Sequence, residues 1–131
     1  MREKPYRIIV VEDHADTAEA LRKFLTVIGY KVYIAPDVAS ARALAKAVEF
    51  DVLLSDVRLP DGTGWDLMKE LSAEGPVRAV AISGFNSDDD IARSTRVGFL
   101  DHIAKPLDPD LLTAALSRAV HLPKDRMSFA G

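Results

Sequence analysis

Short apolar runs rich in β-branched residues alternate along the chain with longer stretches whose apolar positions recur at helical spacing. Five of these runs are predicted strands: Arg7–Val11, Lys31–Ala35, Val52–Ser55, Arg78–Ile82 and His102–Ala104. The first, RIIVV, is continuously apolar like a strand buried on both faces, whereas the second, KVYIA, alternates like an edge strand. Strands alternating with helices are typical of βαβ units. We therefore expect an α/β fold with a doubly wound, five-stranded parallel sheet.

The intervening stretches carry helix start and stop signals. Helices are predicted over about residues 15–28, 38–48, 64–71, 88–97 and 109–121. Asp37 and Asp108 are placed to cap the second and fifth helices. Ser87, followed by three aspartates, opens the fourth helix, where carboxylates favour the positive end of the helix dipole. Gly29 and Gly98 suit the left-handed residue that follows a helix, so they should end the first and fourth helices.

The chain length is that of one globular domain. It has 131 residues, of which 48% are hydrophobic and 28% charged. We assign residues 1–122 to this domain and expect the polar segment 123–131 to be a flexible tail. The apolar run IIVV is too short for a signal peptide or a membrane span. A cytoplasmic protein without membrane contact is therefore expected.

The net charge and the available metal-binding residues limit the kinds of ligand and metal site that are expected. The net charge is −3 and both signs are mixed along the chain, which disfavours direct binding of nucleic acid. There is no cysteine, so thiolate chemistry and disulfides are excluded. His14, His102 and His121 lack zinc-type spacing. Any bound metal should therefore be held by oxygen atoms.

Polar side chains follow four of the predicted strands where each strand ends. Glu12 and Asp13 follow the first strand, Asp56 the third, Ser83 the fourth and Lys105 the fifth. Ligands of open parallel sheets bind beyond the carboxyl ends of the strands, where the strand order reverses. With the common order 2-1-3-4-5, the first and third strands flank this point. The sequence therefore predicts one pocket that contains three carboxylates.

Such a pocket suits phosphoryl chemistry. Clustered carboxylates raise each other's pKa unless a cation joins them, and Mg²⁺ prefers this kind of oxygen site. Lys105 would add a point charge suited to a phosphoryl group, and Ser83 would add a hydroxyl donor. A carboxylate nucleophile, a divalent ion, an ammonium and a hydroxyl together indicate phosphoryl transfer to aspartate.

Four motifs in order resemble those of a response-regulator receiver domain: VVEDHAD, LLSDVRLPDGTGWDL, AISG and GFLDHIAKPLDPDLL. The resemblance covers about residues 7–120 and implies a flavodoxin-like three-layer sandwich. It also implies that Asp56 accepts a phosphoryl group from a phosphohistidine on a histidine kinase or a histidine phosphotransfer protein. Such a domain is a signalling module and not an enzyme, although it catalyses its own phosphorylation and slow dephosphorylation.

The resemblance implies roles for the residues of the predicted pocket. Glu12, Asp13, Asp56 and the backbone carbonyl of Arg58 match ligands of Mg²⁺ (or Mn²⁺). Lys105 matches the lysine that pairs with the phosphoryl group.

A second set of residues matches the switch of the family. Ser83 corresponds to the hydroxyl that moves toward the phosphoryl group, and the Lys105–Pro106 bond to one that is usually cis. His102 occupies a position that is aromatic in many receivers. Its imidazole could swing like that aromatic side chain, and the movement would then depend on its protonation near neutral pH. Alternatively, His102 packs against the fourth helix. Phosphorylation would change the partner of the face formed by the fourth helix, fifth strand and fifth helix. A downstream output protein is expected there, and the resemblance allows a phosphorylation-dependent homodimer.

Alternative interpretations remain open from the sequence. The chain could be a stand-alone regulator or part of a longer protein such as a hybrid histidine kinase. A degenerate receiver would serve only as an interaction module, but it would usually lack an acid or the lysine. A haloacid-dehalogenase-like phosphatase would need a second aspartate two residues after Asp56, where this chain has Arg58.

Overall fold

The computed structural model describes residues 4–123. Within this range the elements follow one another in this order: β1 (Arg7–Val11), α1 (Ala15–Val27), β2 (Lys31–Ala35), α2 (Val38–Ala47), β3 (Val52–Asp56), β4 (Arg58–Leu59), β5 (Gly62–Thr63), α3 (Gly64–Ser72), β6 (Ala79–Ser83), α4 (Asp88–Val97), β7 (Asp101–Ala104) and α5 (Pro109–His121). None of the described helices has the length and apolar character needed to cross a membrane. The predicted tail lies outside the described residues, apart from Pro123.

Five parallel strands form the central sheet in the order β2-β1-β3-β6-β7. When the small hairpin β4–β5 is set aside, this is the predicted order 2-1-3-4-5. The strand with the alternating pattern, β2, lies at an edge of the sheet as predicted. Helices α1 and α5 cover one face, and α2, α3 and α4 cover the other. The predicted α/β three-layer sandwich is therefore confirmed.

The interior strand β1 shows how the sequence fills both layers. Ile8 and Val10 pack with α1 and α5, whereas Ile9 and Val11 pack on the opposite face with α2 and α3. This division follows from the two-residue period of a strand. All four side chains are fully buried. Each contributes about 1.5–3 kcal/mol through burial, so the continuous apolar run stabilises the sheet from both sides.

The strand ends differ from the prediction by one residue. β3 includes Asp56, which pairs with Ile82, and β6 includes Ser83, which pairs with Ala104. The prediction stopped each strand earlier because these side chains are polar, but backbone pairing does not depend on side-chain polarity. Asp56 and Ser83 are therefore held by the sheet itself and do not belong to the loops that follow.

The local helix signals are confirmed. Asp37 and Asp108 each accept backbone hydrogen bonds as N-caps, and Ser87 forms a capping box with the third residue of α4. Gly29 and Gly98 follow α1 and α4 with φ angles of 108° and 110°, in the region that favours glycine. These helices begin and end where their capping residues predict.

A small hairpin between β3 and α3, with two strands of two residues each, was not predicted. Its strands β4 and β5 pair through Arg58–Thr63 and Leu59–Gly62. Asp61 lies in the hairpin turn. Its carboxylate accepts hydrogen bonds from the backbone N–H groups of the first two residues of α2, at 2.8 and 3.0 Å. The loop after Asp56 is thereby fastened to a helix 23 residues away in sequence.

Candidate functional site

The predicted site residues gather at the carboxyl edge of the sheet. Glu12 follows β1, Asp56 ends β3, Ser83 ends β6 and Lys105 follows β7. Glu12, Asp56 and Ser83 are 1%, 5% and 0% exposed. Acidic groups this deeply buried require a partner, because burial removes the water that stabilises their charge.

Lys105 supplies that partner for two of the acids. Its Nζ donates to Glu12 Oε1 at 2.6 Å and to Asp56 Oδ2 at 2.7 Å. The sequence interpretation reserved Lys105 for a phosphoryl group. In the structure its ammonium bridges the two carboxylates through charge-assisted hydrogen bonds, with 23% of its side chain exposed. Glu12, Asp56 and Lys105 therefore form one connected ionic group, which we call the ionic triad.

Asp13 lies beside the triad on the solvent side. It is exposed, and its Oδ1 lies 3.5 Å from His14 Nδ1, which is also 3.3 Å from Glu12 Oε2. The His14 side chain is 73% exposed, in agreement with its predicted place near the pocket. Ligand atoms of Glu12, Asp13 and His14 all lie within 4.8 Å of one another. Two of the predicted metal-binding acids are therefore adjacent at the mouth of the site.

The surroundings of the triad shift the three pKa values differently. Burial raises the pKa of Asp56, and the hydrogen bond and charge of Lys105 offset only part of this effect. Burial also acts to raise the pKa of Glu12, but Lys105 and the His14 backbone outweigh it and the pKa is lowered. Burial acts to lower the pKa of Lys105, yet its two carboxylate partners raise it overall. The same ammonium therefore leaves the pKa of Asp56 above its ordinary value and that of Glu12 below its ordinary value.

Replacing Lys105 by methionine is expected to raise the pKa of Asp56 further, because the cation that offsets burial is lost. The folded protein then binds more protons than the unfolded chain from about pH 3.8 up to the raised pKa. The contribution of Asp56 to the free energy of unfolding should fall as the pH rises through this window, and the window should be wider in Lys105→Met than in wild type. Carboxyl-carbon NMR titration measures the shift. Lys46→Met, at an exposed position on α2, should leave the Asp56 titration unchanged; equal effects of both variants would contradict the prediction.

The neighbours of Asp56 and Ser83 complete the site. Arg58 places its backbone next to Asp56, since its N–H donates to Asp56 Oδ1 at 3.3 Å. Its guanidinium lies over the ring of Phe85, 4.8 Å from the centroid. The N–H of Phe85 donates to Ser83 Oγ at 2.9 Å. The Lys105–Pro106 peptide bond is cis, as the resemblance implied.

His102 has polar partners that the sequence did not identify. Its Nδ1 lies 2.8 Å from Ser94 Oγ on α4, and its Nε2 lies 2.8 Å from Asn86 Oδ1. Asn86 in turn donates from Nδ2 to the carbonyl of Ser83 at 3.0 Å. No motif marks Asn86 or Ser94, because their contacts depend on how α4 and the loop after β6 pack against β7.

Comparison with known proteins places this arrangement in a family. The family described as response regulator receiver domain matches residues 8–117. The chain belongs to this family. Receiver domains bind Mg²⁺ through acidic residues, and in this receiver domain Glu12 and Asp13 offer carboxylate oxygens of the kind that a hard divalent ion prefers, beside His14.

Individual relatives agree with this assignment. The receiver domain is 31% identical over 122 residues to an uncharacterized 14.6 kDa protein from the sodA1 3′ region of Leptolyngbya boryana, covering 90% of this chain and 93% of the relative. It is 32% identical over 117 residues to response regulator protein PilR of Pseudomonas aeruginosa, covering 88% of this chain but 26% of PilR. The receiver domain therefore spans about a quarter of PilR, whereas it spans nearly all of the Leptolyngbya protein.

A solved structure shows the same fold. The non-phosphorylated HemR receiver domain from Leptospira biflexa superimposes with a TM-score of 0.84 at 27% identity, covering 90% of this chain and 96% of that chain. The two proteins therefore share the fold over nine tenths of this chain.

Proposed function

We propose that Asp56 accepts a phosphoryl group from a phosphohistidine on a cytoplasmic histidine kinase or histidine phosphotransfer protein, in a reaction that requires Mg²⁺ or Mn²⁺. One observation carries this proposal. Asp56 is a buried carboxylate with a raised pKa, bonded to Lys105 and grouped with Glu12 at the carboxyl edge of the sheet. A charge this poorly stabilised and this well positioned is typical of a reactive group.

In the proposed reaction an Asp56 oxygen forms a bond to phosphorus while the bond between phosphorus and the donor imidazole nitrogen breaks. The electron pair of the broken bond returns to that nitrogen, and the proton that the donor ring carries on its other nitrogen leaves the histidine as neutral imidazole. Lys105, already 2.7 Å from Asp56 Oδ2, would pair with the phosphoryl oxygens that arrive there. Glu12, Asp13, Asp56 and the Arg58 carbonyl would hold the divalent ion, which when bound neutralises the carboxylates and phosphoryl oxygens.

Ser83 would communicate the new charge to the surface. Its hydroxyl now accepts from the Phe85 N–H, and it could donate to a phosphoryl oxygen after rotating toward Asp56. The loop between β6 and α4 would follow and alter the face formed by α4, β7 and α5. Exposed apolar side chains on or beside this face support a protein partner or a second copy as its ligand. They are Ile91, Leu100 and Leu111, which are 40%, 36% and 60% exposed.

The direct test is to incubate the wild-type protein with acetyl phosphate or with a phosphorylated histidine phosphotransfer protein. We expect intact-mass spectrometry to show one added phosphoryl group when the reaction contains Mg²⁺ and none when it contains EDTA instead. Borohydride trapping and peptide mapping should place the label on Asp56. A label on another residue, or one that forms equally well in EDTA, would contradict the proposed function.

A further inference from the structure

A chain of hydrogen bonds connects the interior of the α3–α4 layer to Ser83. Trp65 Nε1 donates to Ser94 Oγ at 2.9 Å, and Ser94 Oγ lies 2.8 Å from His102 Nδ1. His102 Nε2 lies 2.8 Å from Asn86 Oδ1, and Asn86 Nδ2 donates to the Ser83 carbonyl at 3.0 Å. We call these five residues the relay. It joins α3, α4 and β7 to the loop that follows Ser83.

The chemistry of its members fixes the direction of three of the four bonds in the relay. The indole N–H of Trp65 can only donate, so Ser94 Oγ accepts from it. The Asn86 amide donates to a carbonyl, so its oxygen faces His102 and must receive a hydrogen from Nε2. His102 therefore carries a proton on Nε2, and in its neutral form Nδ1 accepts the Ser94 hydrogen. A flipped Asn86 amide would set two carbonyl oxygens against each other.

The surroundings favour this neutral form. Burial holds the pKa of His102 below its ordinary value, and a hydrogen bond with the Phe85 backbone and the nearby carboxylate of Asp90 offset part of this effect. Two other charged groups on the adjoining elements have partners of their own. Asp101 on β7 pairs with Arg118 on α5 at 3.2 Å, and the Arg93 guanidinium lies over the indole ring, 4.3 Å from its centroid.

Two anchors hold the loop after β6 to Ser83. One is the bond from the Phe85 N–H to Ser83 Oγ, and the other is the bond from Asn86 to the Ser83 carbonyl. Rotation of the Ser83 hydroxyl toward a phosphoryl group removes the first anchor. The second then remains, and His102 holds it by fixing the orientation of the Asn86 amide.

We propose that His102 is a positioning residue that opposes the switch: through Asn86 it holds the Ser83 loop in the unphosphorylated arrangement, and phosphorylation of Asp56 must break the relay. This inference rests on the proposed function of Asp56. Linkage makes the effect reciprocal, so anything that breaks the relay should favour the phosphorylated arrangement by the same factor.

Protonation of His102 should act in the same direction. In the neutral relay Nδ1 accepts the Ser94 hydrogen, so an added proton there reverses this bond and makes the Ser94 hydroxyl direct its hydrogen to another acceptor. It also places a positive charge where burial disfavours it. A released imidazole titrates near its ordinary pKa of about 6.5. Acidification from about pH 7.5 to about pH 6 should therefore favour the released arrangement in a protein that has His102.

The protein contains a reporter for this test, because Trp65 is its only tryptophan. Nitrogen-15 NMR at pH 7.5 without metal should show His102 as the Nε2–H tautomer. Mg²⁺ with beryllofluoride, a phosphoryl analogue, should then shift the Trp65 indole N–H signal and weaken the tautomer preference. An Nδ1–H tautomer, an imidazolium, or an indole signal unmoved by bound analogue would overturn the inference.

Variants separate the relay from the reactive site. Asn86→Ala should bind beryllofluoride about three- to tenfold more tightly than wild type, the range expected for one opposing hydrogen bond. Thr95→Val is the matched control, since its hydroxyl bonds to the Ile91 carbonyl on α4 outside the relay, and it should match wild type. On acidification, wild type should gain affinity relative to His102→Gln, which cannot titrate.

Fluorine-19 NMR of the bound analogue distinguishes failure of the relay hypothesis from failure of the proposed function. If wild type binds beryllofluoride but Asn86→Ala binds it no more tightly, the role of the relay is refuted while the proposed function stands. If wild type shows no bound fluoride signal with Mg²⁺, the proposed function fails and the inference fails with it.

Discussion

Replacing Asp56 by asparagine is expected to abolish phosphoryl acceptance completely while leaving the folded protein at least as stable as wild type. The amide cannot attack phosphorus under these conditions, so labelling by acetyl phosphate should disappear. The stability follows from the raised pKa of Asp56, which means that the folded protein disfavours its charged form. Lys105 keeps Glu12 as a partner at 2.6 Å and is not left uncompensated. Intact-mass spectrometry and thermal unfolding in EDTA measure the two effects.

The sign of the pH dependence provides an internal check. In wild type, the contribution of Asp56 to the free energy of unfolding should fall as the pH rises from about 3.8 through the raised pKa of Asp56. Asp56→Asn lacks this fall, so its relative stability should increase over the same window. Asp16→Asn removes an exposed carboxylate from the first turn of α1 and should be labelled like wild type. Labelling of Asp56→Asn, or its destabilisation by more than about 2 kcal/mol, would contradict this account.

Replacing Gly64 by alanine should be the most destabilising of these changes. Gly64 begins α3 and donates its N–H to the Val57 carbonyl at 2.8 Å. A Cβ atom there would lie far inside van der Waals contact with the Asp56 carbonyl oxygen and 2.9 Å from Ser55 Oγ. Because the main obstacle is backbone in a central strand, β3 or α3 would have to move. We expect a loss of about 3 kcal/mol in urea denaturation, with slower phosphorylation of the displaced Asp56.

Gly84→Ala serves as the comparison for Gly64→Ala. A methyl group at Gly84 would point into open space, with nothing within 4 Å, and the backbone there does not adopt the left-handed region. Its replacement should change the free energy of unfolding by about 0.5 kcal/mol or less. Similar losses at the two positions would show that close approach to β3 is not the reason that glycine is needed at position 64.

The fold was predictable because its signals are local and repeated. Short apolar runs rich in β-branched residues marked the strands, and Asp37, Ser87 and Asp108 marked helix starts through bonds within a few residues. The ends of β3 and β6 were placed one residue early, since Asp56 and Ser83 are polar and look like loop residues. Their pairing is decided by the neighbouring strand, which a single segment does not reveal.

The location of the candidate site was also predictable, because parallel strands bring their carboxyl ends to one edge whatever the side chains are. The contacts within it were not. Lys105 is 93 residues from Glu12, and His102 is 16 residues from Asn86, so these bonds depend on the packed positions of separate elements. The same reasoning applies to Asp61, whose cap on α2 links two segments with no shared motif.

The candidate site and the exposed apolar residues lie on different elements of the fold. Asp56 belongs to a fully buried strand at the centre of the sheet, whereas Ile91 and Leu111 are exposed on α4 and α5. Under the proposed function, substitutions on those helices would change which proteins bind without reshaping the site around Asp56. Different surface residues on the same fold would then direct the same phosphoryl chemistry to different partners.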